Sequence, residues 1–223
     1  MMKKISTIIL ILTGAFLVFH GLFLWMYTNI DGYFYWAFGQ YVKTGIYPFL
    51  PAFTYLRPTT ISPPLYGIFL MILGVFTRAD IIVHILQLGM LAGTSALLYK
   101  LLTPFVQKPV ALILACLFIL FPTNVIYASS MMTEIPAQFL LTSFVFLAHR
   151  FIVSKKISFL SSMVLLSAVM TILKYQFLFL TLFSLGLFAY VFFQKHVKGI
   201  VHIFPVALGV GILLLWIFAN HAI

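Results

Sequence analysis

An all-α, polytopic transmembrane helix bundle is the fold this sequence predicts, and three observations predict it. Apolar residues make up 64% of the chain and charged residues 7%, with a mean hydropathy of +1.18. A water-soluble domain needs far more polar surface than that. The apolar residues also come in long runs, over 5–27, 81–99, 110–127, 136–153, 157–173, 175–193 and 199–220. Such runs match the roughly 17–25 residues that a spanning helix needs. Thirdly, the basic residues gather between alternate runs, as the positive-inside rule requires. These observations give about seven spanning helices in a single module, 1–223, with an amphipathic juxtamembrane first outer loop.

The first run follows Met1-Met2-Lys3-Lys4. It looks like a signal peptide, but its apolar part is too long and lacks a small-x-small cleavage site. A retained signal anchor is expected, with the N-terminus in the cytoplasm. The outer loop, 28–80, is aromatic and punctuated by proline, and a short amphipathic helix is expected over 33–43. The apolar stretch 65–76 has only 12 residues, short of the roughly 17–25 that crossing needs, and charge distribution decides whether it spans or forms an interfacial or re-entrant helix. If it does not cross, Lys3, Lys4, Lys100, Lys108, Arg150, Lys155, Lys156, Lys195 and Lys198 lie inside, nine of the thirteen basic residues. If it crosses, the count inverts. The first arrangement also places all three acids, Asp31, Asp80 and Glu134, on the outer side. Residues 157–193 would span about 55 Å as one helix, against a hydrocarbon core of roughly 30 Å. The stretch must fold back at Lys174-Tyr175-Gln176, an outer-facing hairpin tip, and a second short outer loop is expected over 128–135.

Several functional classes fall away. The formal net charge of +10 reflects cytoplasmic helix ends, so no nucleic-acid partner is expected. Cys116 is the single cysteine, which excludes an internal disulfide. The six histidines are scattered without ligand spacing, so no metal site is expected, and no glycine-rich loop suggests a nucleotide cofactor.

The polar residues left on the outer side each have two readings. Asp31 suits a helix N-cap as well as a catalytic carboxylate. Tyr33, Tyr35, Trp36 and Tyr41 suit an interfacial aromatic belt. Glu134 precedes Pro136 at a helix start, where an acid complements the helix dipole. Lys174 is either a snorkelling cation or, beside the start of the next helix, a group suited to phosphate.

Three pieces, in order, carry a family resemblance. They are Asp31 followed by Tyr33…Ala37 and Gly45-Ile46-Tyr47-Pro48, then Ser62-Pro63-Pro64-Leu65-Tyr66, then Met132-Thr133-Glu134-Ile135-Pro136 with Leu173-Lys174-Tyr175. Together they resemble the GT-C membrane glycosyltransferases, especially the protein O-mannosyltransferase and lipid A aminoarabinose transferase branch. The resemblance implies sugar transfer from a polyprenyl-phosphate donor at the outer face of the cell membrane, with no cofactor. It implies that Asp31 is the catalytic base, that Glu134 orients or activates the acceptor, and that Lys174, with Tyr175 beside it, contacts the lipid phosphate. Tyr33 and Tyr35 would stack on sugar faces. Two departures stand out. Gly32 follows Asp31 where some members carry a second acid, which disfavours a metal-dependent variant. Ser62 stands where a Lys or His often precedes the diproline, leaving Arg57 as a substitute donor contact.

The chain reaches Ile223 after seven expected helices, which resembles the N-terminal half of that family. A fragment, or a minimal form working with a partner subunit, is therefore expected. The rival reading is a non-catalytic membrane subunit that handles lipid-linked substrates. A transporter is weaker, because the later runs carry no ionisable residue mid-span apart from Lys174.

Overall fold

A computed structural model describes residues 7, 10–17, 35–37, 39–40, 64–73, 79–195 and 200–221. Asp31, Tyr33 and Arg57, and most of the expected first helix, lie outside the described residues. Every regular element described is helical: α1 (Pro64–Leu73), α2 (Ala79–Leu102), α3 (Lys108–Leu120), α4 (Pro122–Ala128), α5 (Glu134–Ser154), α6 (Ile157–Leu173), a 3₁₀ turn (Tyr175–Phe177), α7 (Leu178–Lys195) and α8 (Ile200–His221). Residues 35–37 and 39–40, within the expected amphipathic helix, are helical too.

Three stretches, Ile81–Leu102, Glu134–Ser154 and Tyr175–Gln194, are each long and apolar enough to cross a membrane. The α3–α4 pair adds a fourth if the two helices are taken as one bent span. Ile157–Leu173 and His202–Leu215 are apolar but shorter. At ten residues, α1 reaches about 15 Å, half of the hydrocarbon thickness.

The α3–α4 pair is where the structure differs from the run expected over 110–127. The two helices meet at an angle of 54°, because Pro122 has no N–H to give to the Phe118 carbonyl four residues back. Asn124 takes over that bond, its Nδ2 donating to Phe118 O at 2.7 Å. Its Oδ1 in turn accepts from Gln138 Nε2 at 3.0 Å, which ties the bend to α5.

α6 is the centre of the assembly. It packs against α5, α7 and α8 and touches α1, and nine of its 17 residues are buried. The α8 contact is close because Gly209 carries no side chain: a Cβ there would sit 3.4 Å from both Ala168 Cβ and Leu165 Cα. Between α6 and α7 the buried hydroxyls of Thr171 and Thr181 bond at 2.9 Å. The turn from α5 to α6 is made by Lys155 in the left-handed region, φ 56°.

α2 and α5 run side by side in the same direction. Met90 and Pro136 meet towards one end, and Lys100 and Leu147 towards the other. Gly93 allows this approach, since a Cβ there would lie 2.9 Å from the Phe139 ring.

Candidate functional site at the Lys174 end of the bundle

Two helix ends and a turn build this site. Glu134 is the first residue of α5, where its carboxylate faces the positive end of the helix dipole. Lys174 caps α6 in an extended conformation, φ −150° and ψ 116°, which stops the helix and turns the chain into the 3₁₀ segment. These two features bring residues forty positions apart together. Lys174 Nζ donates to Glu134 Oε1 at 2.7 Å, with each side chain 23% exposed. Glu134 Oε2 is buried and faces no hydrogen-bond donor among the described residues.

A second polar group lies beside this pair. Gln87, buried on α2, donates through Nε2 to the Tyr66 hydroxyl at 2.8 Å and to the Met132 carbonyl at 3.1 Å. A carbonyl only accepts, so this contact fixes the amide orientation. It leaves Gln87 Oε1 buried without a donor among the described residues. The Tyr66 phenol is raised well above its ordinary value, first by burial and then by neighbouring Tyr35 and Glu134, while the Gln87 bond pulls the other way. It stays neutral and keeps a proton to donate. Tyr35 meets Tyr66 edge-on, with ring centroids 5.1 Å apart. The Tyr35 hydroxyl also approaches Thr133 Oγ1 at 3.4 Å. The segment holding Tyr35 is seated tightly: at Gly39 a Cβ would lie 2.6 Å from the Gly67 carbonyl oxygen.

Beneath the polar groups lies an apolar cavity of about 200 Å³, lined by Leu65, Tyr66, Met90, Pro136, Phe139 and Leu173 among others. Pro136 and Leu173, which line it, are two residues and one residue away in sequence from Glu134 and Lys174, so the ion pair lies close to the cavity without lining it. A cavity of about 150 Å³ accepts benzene, so the space suits a short apolar segment.

Of the residues expected from sequence, Glu134, Lys174 and Tyr35 come together here, while Tyr175 follows Lys174 with its ring exposed. The ion pair itself was not expected, since the resemblance gave its two members separate tasks. Gln87 was missed, although a lone amide inside the apolar run 81–99 is a signal in its own right. His84, one turn earlier, was passed over as scattered. Its Nδ1 donates to the Ala128 carbonyl at 2.9 Å, holding the end of α4 against α2. No group of three or more metal-ligating side chains occurs among the described residues.

No protein-family model matches the chain, and no curated protein or solved structure is significantly similar to it.

Proposed function

We propose that this chain is a seven-span membrane glycosyltransferase of the GT-C kind, moving a sugar from a polyprenyl-phosphate donor to an acceptor at the outer face. One observation carries the reading: the one cation–carboxylate pair among the described residues lies near an apolar cavity lined by Pro136 and Leu173, the close sequence neighbours of its two members. A lipid phosphate needs a cation and its tail needs an apolar slot, and the two are adjacent.

The chemistry follows from exchange at the ion pair. The donor phosphate displaces Glu134 from Lys174, and the ammonium then neutralises charge developing on the leaving group. The acceptor oxygen attacks the anomeric carbon as the carbon–oxygen bond to phosphate breaks. The bonding electrons leave on the polyprenyl phosphate, and the acceptor proton passes to Asp31. Glu134, freed from Lys174, offers both oxygens to acceptor hydroxyls. Tyr66, kept neutral, serves as a donor at the cavity wall.

The alternative is a non-catalytic subunit in which Glu134 and Lys174 merely clamp α5 to α6, a reading favoured by their mutual neutralisation. Exchanging the charges distinguishes the two. Glu134→Lys combined with Lys174→Glu restores thermal stability lost in either single variant under both readings. Transfer of radiolabelled sugar from a polyprenyl-phosphate donor in membranes stays at least about 100-fold down only if the pair is catalytic. Wild-type membranes without donor-dependent transfer would defeat the enzymatic reading.

A further inference from the structure

We propose that the Lys100 end of the bundle holds a second lipid site, specific for an anionic glycerophospholipid and separate from the Lys174 site. An open cavity of about 500 Å³, also lined by Phe139, runs between α2, α5 and α6. Gly93, Ala96, Leu97 and Lys100 supply one wall. Their spacing of three, four and seven puts them on a single face of α2. Ser143 and Leu147 from α5 supply the other. Ala96 puts only a methyl group into the space, which is more than three times the volume of an engineered cavity that holds benzene. Ser143 gives its hydroxyl proton to the Phe139 carbonyl at 2.7 Å, and Lys100 is the one charged residue among the described residues lining the slot.

Charge selects the occupant. The acids on these two helices, Asp80 and Glu134, stand at their opposite ends. Asp80 is twenty residues from Lys100, about 30 Å along α2, and Glu134 is taken by Lys174. Among the described residues no carboxylate pairs with Lys100, Arg150, Lys155 or Lys156, which crowd this end. Arg150 is already occupied over the Phe159 ring, 5.5 Å from its centroid. An apolar slot ending in an unneutralised ammonium fits an acyl chain with a phosphodiester at its head, and basic pockets between membrane helices bind anionic headgroups in this way.

The test uses the purified full chain in mixed micelles, following thermal unfolding with graded phosphatidylglycerol or phosphatidylcholine of identical acyl chains. Phosphatidylglycerol is expected to raise the midpoint by about 4 °C, with phosphatidylcholine without effect. Lys100→Gln should lose at least half of the shift, Lys100→Arg should keep it, and Ala96→Phe should abolish it by filling the slot. Lys155→Gln, at the same end but off the slot, should retain it. The proposal is overturned if both lipids protect equally, if Lys155→Gln costs as much as Lys100→Gln, or if inorganic phosphate alone reproduces the shift.

Discussion

Among the described residues Glu134 is held from one side only: Lys174 reaches Oε1, while Oε2 faces no donor. Removing Lys174 therefore leaves a half-buried carboxylate without its counter-charge. Lys174→Met is expected to destabilise the fold by about 1–3 kcal/mol, less than for a fully buried pair. Thermal unfolding of that variant beside Glu134→Gln and the double variant gives the coupling directly; independent, additive costs would show that the contact is energetically silent. Tyr66 makes a different prediction, with a defined sign. Its folded pKa lies above the unfolded value of about 10, so the unfolded chain gives up this proton first. Its stability is then intact below about pH 10 and lost as the pH rises beyond it. Tyr66→Phe should show a shallower alkaline loss than wild type between about pH 10 and 12, measured by unfolding midpoints. Glu134 and Lys174 were each visible in the sequence as polar residues at breaks between apolar runs. Their pairing was not, because forty residues of helix, turn and helix decide which ends meet.

The element scale shows why two turns have the residues they have. Lys155 adopts φ 56° without being glycine, and Lys155→Gly is expected to be neutral or to stabilise by up to about 1 kcal/mol. A loss of stability would show that the Lys155 side chain contributes more than its backbone strain costs. At the α3–α4 bend, Asn124 substitutes for the bond that Pro122 forfeits. Asn124→Leu should cost about 1–3 kcal/mol, because the Phe118 carbonyl keeps only the long 3.4 Å bond from Phe121 N–H and Gln138 loses its acceptor. Pro122→Ala supplies a new N–H, so the double variant should cost less than the sum of the two single changes. Strict additivity would mean that the proline does not create the need for Asn124. The sequence displayed the existence of these helices clearly, from α1, too short to span, to the break at Lys174. It hid the bend, since Pro122 lies inside a run that hydropathy alone reads as continuous. Nothing in the sequence marks Asn124 and Gln138 out; the bend gives them their partners.

Across the whole molecule, the helical class and the apolar runs were legible because burial in lipid leaves a compositional mark that needs no tertiary information. The central position of α6 was not legible. Its pattern resembles those of its neighbours, and only packing against α5, α7 and α8 distinguishes it. The alternation of the helices predicts that Tyr175 and Lys155 lie on opposite faces of the membrane. With Cys116→Ala as background, Tyr175→Cys should react with a membrane-impermeant thiol reagent in intact cells, and Lys155→Cys only after permeabilisation. Reaction of both from outside would dismantle the topology on which the sugar-transfer reading rests.

The Phe139 ring has one further consequence. Phe139 lines both the 200 Å³ chamber and the 500 Å³ chamber, with the backbone of Gly93 close by. A guest that swings the ring aside to enlarge its own room shrinks the room next door. Occupancy of the two chambers is then thermodynamically linked, and each guest must weaken the other by the same factor. Two lipids that never touch would negotiate through a single benzyl group.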